Sequence, residues 1–341
     1  MKKNALKALQ VLVSLSLLAF LISRTDIKAI LSIVNSSNLL FLAVAFLIYV
    51  STVFIISCRW YILLQTQKIN LPFKKLVSLY FIGLFFNNFL PTSVGGDLYR
   101  AYGAAKQNGK MALCLASVFT ERLIGFFAIT VMVLFSLIFI SPEMGGNYVL
   151  ILSILFFSLL LFFLLLFFNQ RFFSYLTQIL EKIKAMGIGK KLVHFSESVN
   201  LYRRYPGTLL TVFAISISYQ LFIVVFSYSV SQALGLGLSV FDFILFVPVI
   251  GLVSMFPLSV NGVGVREAGY VFLLSRVGRG SSEALSLSLM IYAIGVAVSL
   301  IGGALFGLQR MEGKGEPAFR TNSLRLLAKS GTGDAKADVV D

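Results

Sequence analysis

Apolar residues run along this chain in long, lightly interrupted blocks. Six blocks are long enough to cross a bilayer: 5–23, 38–57, 112–140, 148–168, 208–234 and 283–308. A spanning helix needs about 20 such residues. Two further blocks are apolar but broken. Residues 76–90 run into "PTSVGGD", and residues 241–258 run into "LSVNGVGVRE". Helices of that apolar length, with no alternating strand pattern between them, predict an all-α integral membrane protein. It has about six transmembrane helices plus two re-entrant helical hairpins.

Composition supports that class. Of 341 residues, 58% are hydrophobic and 13% charged, too little charge to cover a soluble domain. The net charge is +15, with basic residues bunched at 2–7, 59–75, 100–110, 171–204 and 310–336. Under the positive-inside rule these segments and both termini are cytoplasmic. Their charge suits anionic inner-leaflet lipids and does not call for nucleic acid. Residues 59–75 and 100–110 then flank 76–97 on one side, so that stretch enters the membrane and returns. The second broken block dips from the opposite face by the same reasoning. The N-terminal apolar block lacks a small-residue cleavage site after its core and reads as an uncleaved span.

The membrane domain is expected over 1–310, in halves of about 5–140 and 148–308. An amphipathic cytoplasmic connector at 169–207 and a disordered cytoplasmic tail at 311–341 complete the chain. At an offset of 166 the broken blocks share the pattern P-x-S-V-x-G-x-x-x-R-x-x-G. Pro91, Ser93, Val94, Gly96, Arg100 and Gly103 fall on Pro257, Ser259, Val260, Gly262, Arg266 and Gly269. Position carries the argument, since each copy lies between the second and third full spans of its half. Each half reads span, span, hairpin, span, and the two start on opposite sides. That predicts an inverted repeat with a site where the broken helices meet.

The candidate chemistry gathers there. Gly95 and Gly96 permit positive φ and close backbone approach. Half-helices starting near Asp97 and Val263 would aim free N–H groups at an anion. Arg100 and Arg266 can hold phosphate bidentately. Asp97 either caps its helix or faces substrate. Asn87, Asn88 and Asn261, with Gly262, either satisfy the tip backbone or line the site. In "LASVFTERLIGFF", Glu121 and Arg122 lie about ten residues inside an apolar segment, where a charge must be paired or wetted. Candidate partners are Arg100 or Arg266 for Glu121, and Asp97 or Glu267 for Arg122. A structural ion pair and a headgroup- or proton-binding pair both fit. Cys58 and Cys114 have no metal spacing, and His194 lies alone in a basic loop. No GK[ST] follows either Gly-rich stretch, so ATP drive is not indicated. No catalytic set, metal or cofactor is expected.

"FFNNFLPTSVGGDLYRAYGAAK", then "ERLIGFFA", then "FPLSVNGVGVREAGYVFLL" resemble the flippase-like family that includes the transmembrane region of lysylphosphatidylglycerol synthases. The resemblance covers about residues 5–308. It implies a polytopic protein of the bacterial inner (cytoplasmic) membrane that moves a phospholipid or lipid-linked intermediate between leaflets. Bifunctional relatives also carry a cytoplasmic aminoacyl-transferase domain. Only the short tail follows the last span here, so no transferase is expected. The alternatives are a membrane-embedded lipid-modifying enzyme and a non-transporting partner of one.

Overall fold

The computed structural model describes residues 25–89, 95–136, 198–254 and 262–311, with a few single positions besides. The spans expected at 5–23 and 148–168, most of the 169–207 connector and the tail beyond Met311 lie outside the described residues. So do the hairpin tips at 90–94 and 255–261, which include Asn261.

The described chain is helical. In order it runs α1 (Ile27–Asn35), α2 (Leu39–Thr66), α3 (Phe73–Phe89), α4 (Gly95–Asn108), α5 (Met111–Ser136), a 3-10 turn (Leu201–Arg204), α6 (Pro206–Ala233), α7 (Val240–Ser254), α8 (Val265–Arg276) and α9 (Ser281–Met311). Helices α2, α5, α6 and α9 are long and apolar enough to cross a membrane. At 28 residues, α2 and α6 each reach about 42 Å, beyond the ~30 Å of hydrocarbon. Leu47 on α2 and Phe222 on α6 face outward, as lipid-facing positions do. The chain is a multi-pass membrane protein.

Local signals fix the helix starts. Asn38 Oδ1 accepts from the Leu40 N–H at 2.9 Å, satisfying a donor the first turn leaves free. Pro206 opens α6, where its missing N–H costs nothing. Helix α2 runs nine residues past the expected boundary at 57. Arg59, Trp60, Leu63 and Leu64 are all buried there, so the core continues where the first charge suggested an end.

Helices α2 and α6 pack side by side and run antiparallel. The Asn38 N–H donates to the Ala233 carbonyl at 2.8 Å, tying the start of α2 to the end of α6. Tyr202 Oη donates to the Leu63 carbonyl at 3.0 Å, and Gln67 Nε2 to the Ser198 carbonyl at 3.1 Å, tying the opposite ends. Exchanging α2 with α6, α3 with α7, α4 with α8 and α5 with α9 returns the same set of packed pairs. Thus α3 packs on α9 as α7 packs on α5. An axis that swaps two antiparallel helices lies perpendicular to them, so the halves are inverted copies.

The first hairpin is held by backbone contact. A Cβ on Gly96 would lie 1.9 Å from the Gly83 carbonyl oxygen, and one on Gly302 would lie 1.9 Å from that of Phe81. Helix α3 is therefore clasped between α4 and α9 at bare glycines. Gly95 and Gly96 are both helical and leave the positive φ open to them unused, while Gly96 makes the close backbone approach expected of it. Positive φ instead falls in the second hairpin, at Gly262 (74°) and Gly264 (87°). Helix α8 accordingly starts one turn later than the 166 offset implies, which brings Arg266 to its second residue.

Candidate functional site

Glu121 lies in the middle of α5 and is 1% exposed, so its charge survives only with partners. Its Oε1 accepts from Arg59 Nη2 at 2.8 Å, from Arg59 Nε at 3.2 Å and from Tyr80 Oη. Its Oε2 accepts from Arg100 Nη1 at 3.2 Å. Arg100, 4% exposed, gives Nη2 to Asp97 Oδ1 at 2.7 Å. Asp97 Oδ2 accepts from Arg122 Nε. Arg59 also donates Nη1 to Ser216 Oγ on α6 at 3.0 Å. Five charged side chains from α2, α4 and α5 thus form one chain of charge-assisted bonds.

Aromatic rings wall this network. The Arg100 guanidinium carbon lies 3.8 Å from the Tyr80 ring centroid and 5.1 Å from that of Trp60. Both fall within the range of a cation–π contact. Trp60 is fixed by its Nε1 bond to Ser117 Oγ at 2.9 Å. Gly83 makes the approach possible, because a Cβ there would lie 2.9 Å from Arg100 Cγ.

Among the described residues, three guanidinium groups and two carboxylates make up this network. Burial decides where an anion can reach it. Arg59 and Arg100 are enclosed, whereas the Arg122 side chain is 39% exposed. The arrangement offers an accessible guanidinium backed by a rigid, buried counter-charge.

The second hairpin is simpler. Arg266 Nη2 contacts Glu267 Oε1 at 2.6 Å, and the Arg266 guanidinium lies 4.7 Å from the Tyr292 ring centroid. Glu267 also accepts from the Gly264 N–H at 2.6 Å and from Ser288 Oγ at 3.2 Å. The side chain therefore closes the start of α8 as a capping residue does. The Arg59 guanidinium carbon lies 6.0 Å from the ring centroid of Tyr219 on α6. Tyr49 is within electrostatic reach of Arg266 and Tyr219, and Tyr219 of Arg59 and Glu121.

Four of the twelve expected residues assemble at one place. Asp97, Arg100, Glu121 and Arg122 join directly, with Glu121 on Arg100 and Arg122 on Asp97 from among the partners proposed for each. Arg266 and Glu267 do not serve Glu121 and Arg122, because each takes the other. Asn87 Oδ1 accepts from the Gly96 N–H at 2.8 Å, the tip-satisfying role weighed for it. Asn88 is half-buried on the last turn of α3, Gly95 opens α4 and Gly262 precedes α8. Asp97 gives its carboxylate to two arginines in place of capping. Arg59 was missed: "FIISC" ends at Cys58 and basic residues follow, so Arg59 reads as the first residue past the span. The usable signal was "WYILL" directly after it, which continues the apolar run. Among the described residues no His, Cys, Asp and Glu side chains group as metal ligands.

A family model described as "Lysylphosphatidylglycerol synthase TM region" matches residues 7–303. A curated relative, the UPF0104 membrane protein PH1989 of Pyrococcus horikoshii, is 25% identical over 136 residues. The match takes in 39% of this chain and 41% of the relative, so the two compare over less than half of either length.

Proposed function

The chain belongs to the lysylphosphatidylglycerol synthase TM region family, and from that premise we propose that it moves a phosphate-bearing lipid between the leaflets of a bacterial inner membrane. Its basic segments and both termini would lie on the cytoplasmic side. The supporting observation is Arg122, whose side chain is 39% exposed at the rim of an otherwise buried network of arginines and carboxylates. A lipid phosphodiester brings one negative charge and two oxygens that suit a guanidinium fork. It would compete with Asp97 for Arg122 while Arg59, Arg100 and Glu121 hold Asp97 in place. Arg100 is then a positioning residue, and Arg122 touches the headgroup. Arg266, 19% exposed beside Glu267, is the matching group of the inverted half. Paired broken helices in inverted repeats are where alternating-access carriers bind substrate.

Leaflet exchange in proteoliposomes tests this reading. Purified protein would be given anionic phospholipids, aminoacylated phosphatidylglycerol and a polyprenyl phosphate, with exchange scored by a membrane-impermeant headgroup reagent. Arg122→Gln is expected to lower exchange at least tenfold, a loss of about 1.4 kcal/mol of binding or barrier, while the protein stays folded. Arg266→Gln is expected to lower it as well. Exchange at the wild-type rate in folded Arg122→Gln would sink the assignment. Conversion of any lipid to a new product would favour a membrane-embedded enzyme instead. Inactivity with every lipid would leave a partner role.

A further inference from the structure

Helices α2 and α6 hold one antiparallel register along their contact. Arg59 Nη1 of α2 donates to Ser216 Oγ of α6 at 3.0 Å. Ten residues back along α2 and ten on along α6, the ring centroids of Tyr49 and Phe226 lie 4.9 Å apart. The midpoint of that register is Phe54 on α2 and Leu221 on α6, each the sixteenth residue of its 28-residue helix. The axis that exchanges the two halves therefore crosses there. Phe54 and Leu221 are each 46% exposed and face lipid. At about 100° per residue, the preceding positions turn inward: Val53 is 1% exposed and Gln220 6%.

The two inward residues match in place and differ in chemistry. Val53 shows that packing at this point asks for no polar group. Gln220 carries an amide, and among the described residues that amide makes no hydrogen bond. Unlike the hydroxyls of Thr120 and Ser231, it is not sealed from open space. A buried amide with no partner weakens a fold, so its oxygen and nitrogen await a group from outside the helices. Its neighbours along α6 point to which. One turn before it, Ser216 holds Arg59 of the first cluster. Beyond it, Phe226 meets Tyr49, and a Cβ on Gly295 would lie 3.6 Å from Tyr49 Oη. Gly295 is one turn from Tyr292, the ring beneath Arg266. Gln220 thus lies at the centre of α6, at a depth between the two arginine clusters. We propose that Gln220 lines the path between them, where its amide bonds an uncharged oxygen of the passing headgroup, an ester or a hydroxyl. An amide both donates and accepts without charge, so it guides a headgroup without holding its phosphate. The proposal deepens the lipid-moving reading above and rests on it.

Gln220→Met keeps the length of the side chain and removes the amide. Thermal unfolding of the purified variant in detergent is expected at or above the wild-type temperature, because no bond inside the protein is lost. Leaflet exchange of phosphatidylglycerol in proteoliposomes should fall about fivefold, the worth of one hydrogen bond. Leu221→Met, on the lipid face one residue away, should leave exchange unchanged. Unchanged exchange in Gln220→Met, or an unfolding temperature lowered by several degrees, would overturn the proposal. A second measurement reads the path without transport. Cys58 and Cys114 are first replaced by alanine, and Gln220→Cys or Phe54→Cys is added to the full chain in vesicles. A small water-soluble thiol reagent attacks the thiolate, so it should modify Gln220→Cys and spare the lipid-facing Phe54→Cys. Resistance at both positions would overturn the proposal even where exchange falls. Reaction of Gln220→Cys in a protein that exchanges no lipid would instead remove the transport reading and leave Gln220 on an open path.

Discussion

Arg100 and Arg266 occupy matching places in the two halves and live in different surroundings. Arg100 is stacked on Tyr80 of α3 and bonded to carboxylates on α4 and α5, and through Glu121 it reaches Arg59 of α2 and Ser216 of α6. Among the described residues Arg266 bonds to its neighbour Glu267 and to Ser288 of the adjacent α9, and it stacks on Tyr292 of that helix. The helices obey a two-fold exchange and the charges do not. Symmetry of this fold is maintained by packing, so each half is free to put its polar residues to a separate use.

The sharpest way to break that comparison is to delete each arginine. Arg100→Ala leaves Glu121 and Asp97 short of a donor in a site closed to water. Glu121 keeps Arg59 and Asp97 keeps Arg122, so the cost is that of the two lost charge-assisted bonds, about 1.5–3 kcal/mol each. Arg266→Ala leaves Glu267 its bonds from the Gly264 N–H and Ser288 Oγ, with an expected cost near the lower end of about 1–3 kcal/mol. Thermal unfolding of both purified variants in one detergent decides between them. Equal losses would mean that the larger network contributes no more than the small one.

Reading of the sequence reached the broken helices and their inverted order, and it named Arg100 as one of two partners for Glu121 and Asp97 as one of two for Arg122. Those features come from local composition, since a charge at membrane depth must find an opposite charge on a neighbouring broken helix. Arg59 and Tyr80 escaped because their role depends on which face of α2 and α3 meets Glu121, a matter of packing between elements far apart in the chain. The function of Gly96 was half legible. Glycine at a hairpin tip suggested positive φ or a close backbone approach, and that the approach is to Gly83 needed the position of a second helix.

That glycine gives the next test of the two halves. Gly96→Ala sets a methyl group against the Gly83 backbone carbonyl, which has no rotamer to change. The expected loss is at or above the upper end of the about 1–3 kcal/mol typical of overpacking. In the second hairpin Gly269 faces the Ile250 side chain, with a Cβ at 3.2 Å from its Cγ1. Ile250 can shift by a few tenths of an ångström, so Gly269→Ala should lie at the lower end of that range. Unfolding midpoints of the two variants measure the difference. A tolerated Gly96→Ala would show that α3 and α4 can separate, and that the first hairpin is less rigid than its contacts imply.

The smallest effect isolates burial itself. Arg279 Nη1 and Glu283 Oε1 are 3.2 Å apart, the same separation as Arg100 Nη1 and Glu121 Oε2. This pair lies at the start of α9, with side chains 34% and 27% exposed. Water screens the attraction there and solvates whichever partner remains, so Arg279→Ala should cost about 0–1 kcal/mol. Glu283 also keeps the Gly280 N–H at 2.7 Å, so the helix start survives the substitution. One bond length in two environments should thus differ severalfold in the stability it reports. If Arg279→Ala were as damaging as Arg100→Ala, the depth of the charges would no longer explain why the first half depends on its network.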